Sequence, residues 1–367
     1  MTFYFLIPFG FYFLLLIVLR IGWSKAISQK DNKPIKKNYF ISVVVPIRNE
    51  RRNIDSLMIG LANQNYPISD FEVIVVDDHS TDDSFKVVSE NRMHVQNLII
   101  TSLDKSNVGK KAALTHGISI AKGEIIATTD ADCLLTSGWL TTINSAFQND
   151  QIKMGEGMVA IADKDKFFSQ WQAMEFASVM ATTVASIGLN NAIMCNGANL
   201  SFRKQTFVDV NGYDGNIHIA SGDDEFLMRK IQKKFPRSIQ IVNSIVVTQS
   251  QVSLKDFLSQ RIRWASKWKG NPSIWARLLA VFILLMQAVW IFFLGTFYRF
   301  DTKTASVIFL LKITADILFL LPVFRFMKIK FRFLPFLGLQ FFYPFYVIFV
   351  GLLAPWISYQ WKDRKIL

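Results

Sequence analysis

The chain has 367 residues, 51% of them hydrophobic and 14% aromatic, with 33 Phe, and this is more apolar surface than a soluble fold of its size buries. A purely water-soluble protein is therefore excluded, and the net charge of +13 gathers largely at the ends of apolar segments, where anionic headgroups attract Lys and Arg and no nucleic-acid partner is needed. Two cysteines, four histidines and no glycine fingerprint give no support to a disulfide scaffold, a hydrolytic triad or a dinucleotide oxidoreductase.

From Phe3 to Ile21 the chain is apolar for about the 20 residues that a membrane-spanning helix needs. Arg20, Lys25, Lys30, Lys33, Lys36 and Lys37 close or follow it. A cleaved signal would carry its charge in front and small residues behind, so residues 1–22 read as a permanent anchor. The positive-inside rule then puts the lysine-rich stretch, and everything up to the next span, in the cytoplasm, with the cell (inner) membrane as the expected location.

Between residues 39 and 270 short apolar runs alternate with polar helical patterns, as βα units around a mostly parallel sheet require. Tyr39 to Pro46 is a strand buried on both faces, Asn49 to Asn63 a helix, and Val73 to Val76 a strand ending at Asp77. Leu98 to Thr101, the helix Lys110 to Ala121 and the strand Ile125 to Thr129, ending at Asp130, repeat the unit. Ligands of open α/β sheets bind at the carboxyl ends of strands, so Pro46, Asp77, Asp78, Asp130 and Asp132 are expected to converge on one crevice. The aromatic-rich stretch Phe167 to Leu189 reads as a core helix, with a membrane-interface helix lining a lipid acceptor's path as the alternative. An amphipathic interfacial helix is expected over 253–270.

Three further apolar runs, Ile274 to Gly295, Thr304 to Phe324 and Phe333 to Trp356, read as spans within 274–358. The basic turn Arg325, Lys328, Lys330 and Arg332 then falls inside, in agreement with the charge rule, whereas the tail Lys362 to Lys365 falls outside, against it. Either the last run, with Pro335, Pro344 and Pro355, is not a simple span or the tail is tolerated there.

Four polar stations in the water-soluble stretch carry the chemistry. Asp130 and Asp132 leave a strand on one side of the chain and offer hard oxygen ligands to Mg²⁺ or Mn²⁺ bridging a diphosphate; the bland alternative is a solvated turn. Cys133 beside them stands at ligand spacing with no second Cys or His and reads as a small buried residue. Asp77 and Asp78, where a strand ends, suit the imide N–H of uracil or ribose hydroxyls, or alternatively an Asx turn and helix cap. Lys110 at a helix start suits a phosphate. Asp223 and Asp224, after Ser221-Gly222, hold the candidate general base, and the same letters make a good helix N-terminus; spacing does not choose between the two carboxylates. Gln260, Arg263 and Trp264 share one helical face, where an indole floors an acceptor and a guanidinium meets a diphosphate, or where an interfacial Arg/Trp belt stands without catalysis.

Taken together, these residues over roughly 39 to 270 resemble glycosyltransferase family 2. Val43-Val44-Val45-Pro46-Ile47-Arg48-Asn49-Glu50, Val75-Val76-Asp77-Asp78, Gly109-Lys110-Lys111 and Asp130-Ala131-Asp132 are similar to its nucleotide-binding half. Asn196-Gly197-Ala198-Asn199, Gly222-Asp223-Asp224 and the Gln-x-x-Arg-Trp set are similar to its acceptor half. The last motif narrows the resemblance to the membrane-embedded branch with ceramide glucosyltransferases and the cellulose, hyaluronan and poly-N-acetylglucosamine synthases. The resemblance implies a Rossmann-like GT-A domain and inversion at the anomeric carbon. It implies Pro46, Glu50, Asp77, Asp78, Lys110 and Asp130 around the nucleotide and Asp132 on the metal. It implies Asp224 as base, and Arg263 and Trp264, with Gln260, under the transfer site. Asp223 departs from the pattern, which often has Glu there.

The expected activity is transfer from a UDP-sugar to a lipid acceptor at the cytoplasmic membrane face. A processive polysaccharide synthase is the first rival, although three C-terminal spans make a polymer channel hard to build. A non-catalytic membrane scaffold is the rival from another class, weakened by the presence of Asp132, Asp224 and Arg263.

Overall fold

The computed structural model describes residues 2–28, 35–91, 95–217, 222–266, 273–354, 356, 359–361 and 364–366. Lys30, Lys33, Ser221, Pro355, Lys362 and Asp363, all used above, lie outside the described residues, as do residues 267–270 of the expected interfacial helix. The chain opens with α1 (Thr2–Ser28), then builds β1 (Ile41–Ile47), α2 (Ile54–Ala62), β2 (Phe71–Asp77), α3 (Ser84–Glu90), β3 (Leu98–Ser102), α4 (Lys110–Ile120) and β4 (Ile125–Thr128). There follow α5 (Trp139–Ala146), β5 (Met154–Ile161), α6 (Phe167–Gly188), β6 (Leu200–Arg203), α7 (Lys204–Asp209), α8 (Asp223–Lys234), β7 (Ile239–Thr248) and α9 (Leu254–Ser266). The C-terminal part holds α10 (Ile274–Gly295), α11 (Thr302–Phe326) and α12 (Phe333–Leu353), and a small hairpin of β8 (Tyr359–Trp361) and β9 (Arg364–Ile366).

Seven strands form one sheet in the order β3-β2-β1-β4-β6-β5-β7. Only β6 runs against its two neighbours, so the expectation of a mostly parallel sheet holds. Successive strand residues point to opposite faces. Val43, Val45, Val73, Val75, Ile125 and Ala127 pack with Leu57, Met58, Trp139 and Leu140 of α2 and α5. On the other face Val44, Ile74, Val76 and Ile126 pack with Ala113, Leu114 and Ile118 of α4, and Met174 and Ala177 of α6 continue the same core. Each such fully buried Val or Ile contributes about 1.5–3 kcal/mol. Strand order reverses between β1 and β4, and a crevice opens at the carboxyl ends of the strands at such a switch point.

Among the described residues, four helices are long and apolar enough to cross a membrane: residues Ile7–Ser28 of α1, and α10, α11 and α12. Helix α1 continues seven residues past the expected end at Ile21 because its last turns rest on α6. The backbones approach so closely there that a Cβ on Gly188 would collide with the Gly22 carbonyl. Helix α6 is buried as a core helix should be, and it packs against α1 and against α11 and α12, helices long and apolar enough to span. The last apolar run is a single helix with Pro344 inside it, ending at Leu353, three residues short of Trp356.

Candidate active site

Asp77 is the last residue of β2, level with Ile47 of β1, and is 6% exposed. Its two carboxylate oxygens accept the Ser80 amide at 3.3 and 3.2 Å, so the side chain also makes the local turn that sequence offered as the bland alternative. Asp78 is buried beside it, and the Arg48 guanidinium donates to the carbonyls of Asp78 and His79 at 2.7 Å each. This bracing role of Arg48 went unremarked in the sequence. Pro46 pairs with Val76 inside the sheet, while Glu50 buttresses the start of α2, its carboxylate accepting Asn53 Nδ2 at 2.6 Å and its amide donating to Ser84 Oγ at 2.7 Å.

The turn at Gly109, whose φ of 98° lies in the region favouring glycine, aims Lys110, the first residue of α4, across the crevice. Lys110 Nζ lies 2.8 Å from Asp130 Oδ1 and 3.3 Å from Asp223 Oδ2. Burial by itself would make this ammonium easier to deprotonate, but the Asp130 and Asp223 carboxylates outweigh it and hold the pKa well above the usual lysine value. One cation thus joins the carboxylate that follows β4 to the one that opens α8.

Asp223 and Asp224 are the first two residues of α8, both buried, after Gly222 in the left-handed conformation with φ 80°. Asp224 Oδ1 accepts the Glu225 amide at 2.7 Å and Oδ2 accepts the Gly197 amide at 3.0 Å. The carboxylate is therefore oriented by helix and loop together. The Gly197 carbonyl in turn accepts Thr128 Oγ1 at 2.9 Å, two residues before Asp130. A Cβ on Gly197 would stand 2.9 Å from Asp223 Oδ2 and 3.3 Å from Lys110 Nζ, so a larger residue there would displace the two side chains that meet at this point. Asn199, nearby in the same segment, accepts Trp139 Nε1 at 2.9 Å and donates to the Met158 carbonyl at 2.9 Å, which ties the segment to the sheet.

Asp132 accepts Thr248 Oγ1 at 3.1 Å, and its pKa is raised by burial and then by the neighbouring Asp130 carboxylate. Cys133 is buried and donates to Asp132 Oδ1 at 3.7 Å; burial, then Asp132 and Asp130, push its thiol pKa well up, as befits a small buried residue. Among the described residues no three His, Cys, Asp or Glu side chains form a ready metal cage. Mg²⁺ and related ions take one or two carboxylates and complete their shell with substrate phosphates and water. The donor set of Asp130 and Asp132 fits such an ion, which would relieve their mutual repulsion.

The structure brings Asp130, Lys110, Asp223, Asp224 and Gly197 together. On α9, Gln260 and Trp264 of the predicted face meet on Arg261, 6% exposed and ion-paired with Glu175 of α6 at 2.5 Å. Its guanidinium stacks 4.4 Å from the ring centres of both Phe257 and Trp264, and Gln260 Oε1 accepts from it at 2.6 Å. Trp264 also packs on Phe176, and Arg263 is half-buried. Sequence reasoning missed Arg261 because the chosen Gln260, Arg263 and Trp264 stripe lies on the adjoining helical face. It also missed Glu156, fully buried in β5, which accepts the Asn196 amide at 2.9 Å. Burial raises the pKa of Glu156 well above the usual carboxyl value, the Asn196 amide opposes this, and Asp224 adds to it. A lone Glu in the apolar run Met154–Ile161 was the available signal.

Comparison with known proteins decides the family. The model of glycosyl transferase family 2 matches residues 42–210, the stretch that carries β1 to β6 and the stations at Asp77, Lys110, Asp130 and Gly197. The chain carries a glycosyl transferase family 2 domain. A β-monoglucosyldiacylglycerol synthase of Nostoc sp. (strain PCC 7120) is 31% identical over 140 residues, 38% of this chain but only 30% of the relative's own length. Glycosyltransferase AglE of Haloferax volcanii is 26% identical over 244 residues, 64% of this chain and 74% of the relative. A solved mannosyltransferase of Pyrobaculum calidifontis, in complex with GDP-Man and Mn²⁺, superimposes with a TM-score of 0.64 at 16% identity, covering 96% of this chain and 98% of its own. That likeness supports the GT-A arrangement together with the membrane helices as one fold.

Proposed function

We propose that the protein is a membrane-bound, inverting glycosyltransferase that moves a sugar from a UDP-sugar to a lipid acceptor at the cytoplasmic membrane face. The observation that carries this reading is the Lys110 bridge, which brings Asp130 and Asp223, from opposite halves of the family 2 pattern, within reach of one ammonium group.

In this reading residues 39–270 form the catalytic unit and the helices on either side hold it at the bilayer. Asp77 and Asp78 hold the nucleoside where β2 ends, with Pro46 and Glu50 shaping the floor beside them. Lys110 contacts the donor's phosphates. Mg²⁺ or Mn²⁺, held by Asp130 and Asp132, would neutralise the leaving diphosphate; the carboxylate pair here and the Mn²⁺ complex of the mannosyltransferase both support this. Asp224, oriented by the Gly197 amide, takes the proton of the acceptor hydroxyl as its oxygen bonds to the anomeric carbon and the bond to the diphosphate breaks. Trp264, Arg263 and Gln260 border the acceptor side. Lysines and arginines near the inner ends of α1 and α11 support a cytoplasmic catalytic unit, where nucleotide sugars are available.

Three C-terminal spanning helices favour a single transfer over a polymer channel. The decisive experiment incubates the purified protein with radiolabelled UDP-glucose, UDP-galactose, UDP-N-acetylglucosamine and GDP-mannose plus total membrane lipid, and extracts into organic solvent. Label in the organic phase from one UDP-sugar is expected. Label only in water-soluble polymer would favour the processive rival, and none from any donor would remove the transferase reading.

A further inference from the structure

The membrane helices enclose, together with α6, a cavity of about 140 Å³ that the chemistry above leaves unused. Its largely apolar lining carries ionisable groups at a depth where polarity is expensive. Lys312 and Asp316 of α11 line it and pair at 2.7 Å, with side chains 13% and 8% exposed. The Tyr12 hydroxyl donates to the other Asp316 oxygen, and Lys312 also donates to Gln340 Oε1. The Trp290 indole fixes the Gln340 carbonyl at 2.8 Å. Ionisable groups within membrane helices are rare, and they mark substrate paths more often than they stabilise a bundle.

The charge balance selects the ligand. Lys312 is neutralised by Asp316. Glu175, on the α6 wall of the same cavity, is neutralised by Arg261 at 2.5 Å. A phosphate entering this space would bring uncompensated negative charge out of water with both nearby cations already engaged. A neutral head with a hydroxyl loses little, because it can donate to the Ser178 and Thr182 oxygens, whose own protons go to the Glu175 and Ser178 carbonyls, and Gln287 adds an amide along the wall. At about 30 Å³ per water, the space holds roughly four or five waters, which suits a glycerol-sized head. The wall is also continuous with the acceptor-side station, since Arg261 stacks 4.4 Å from the Trp264 ring centre.

We propose that this cavity is a waiting seat for the head of the acceptor on its way to the transfer site, and that the acceptor is a neutral lipid alcohol of the diacylglycerol type, not a lipid phosphate. The inference rests on the transferase reading above.

The test uses the full chain in phosphatidylcholine nanodiscs with a diazirine-bearing diacylglycerol probe. Photolabelling of peptides from α11 and α12 is expected, suppressed by excess dioleoylglycerol but not by dioleoyl phosphatidic acid, which has the same tails and adds only the phosphate. Ser178→Phe, which fills the cavity, should reduce labelling at least fivefold. Gln287→Leu, which removes one polar group at similar volume, should reduce it at least threefold. Acceptor-free release of UDP from the nucleotide sugar is measured in parallel and should stay within twofold of wild type in both variants. Equal or better competition by phosphatidic acid overturns the proposal, and so does wild-type labelling in both variants. Selective labelling in a wild-type protein that releases no UDP would leave the lipid site standing and bring down the transferase reading instead.

Discussion

The ammonium of Lys110 meets the Asp130 carboxylate at 2.8 Å, joining the first residue of α4 to the loop that leaves β4. The pair is partly shielded from water, with side chains 18% and 39% exposed, so its loss should cost about 1–3 kcal/mol, between the exposed and the buried limits. Lys110→Met should accordingly lower the melting temperature. Mn²⁺ alone, without the nucleotide whose phosphates Lys110 is proposed to contact, should restore more stability to the variant than to wild type, because a second cation then compensates the same carboxylates. Equal shifts in both proteins, measured by thermal unfolding in detergent, would show that Lys110 does not share a site with the metal.

Asp132→Ala removes one of the two proposed oxygen ligands while leaving the strands around it intact. Calorimetry should find UDP binding to wild type strengthened by Mn²⁺ and UDP binding to the variant insensitive to it. Unchanged metal dependence in the variant would take Asp132 off the metal.

Glu156 gives a pH signature. Its folded pKa is raised above the unfolded value of about 4.3, so the folded state holds this proton more tightly. The resulting stability is complete below about pH 4.3 and is lost as pH rises through the folded pKa, at about 1.4 kcal/mol per unit of elevation. Glu156→Gln keeps an acceptor for the Asn196 amide and removes the titration. The variant should gain melting temperature relative to wild type as pH climbs from about 4.3 toward neutrality. Parallel pH profiles would mean that the carboxyl is not protonated in the fold.

Sidedness follows from charge placement. A cysteine replacing Ser28, at the end of α1, should resist an impermeant thiol reagent in intact cells, and one replacing Thr302, at the start of α11, should react. Labelling at position 28 from outside would separate the catalytic unit from cytosolic nucleotide sugars.

The sheet was legible because its code is short-range. Val43 to Val45, followed by Pro46, and Val73 to Val76, followed by Asp77, are continuous apolar runs, and both are parallel strands. The spans were legible for the same reason, and α10 begins and ends where the apolar run does. What escaped depends on partners distant in sequence. Lys110 looked like a phosphate contact alone, and only folding puts Asp130 and Asp223 on either side of it. Arg261 needs Glu175, 86 residues away, and Asp316 needs Tyr12, 304 residues away. The extra turns of α1 depend on the close seat of Gly22 on α6.

Asp224→Asn tests the central claim most directly, because it separates donor binding from transfer in one protein. Nucleotide binding should remain near wild type, the amide still accepting from Gly197, while transfer of labelled sugar to lipid should fall by about 10²- to 10⁴-fold, the usual contribution of a positioned base. If transfer persists, or if UDP affinity collapses along with it, Asp224 is not the base and the assignment of this site to sugar transfer is contradicted.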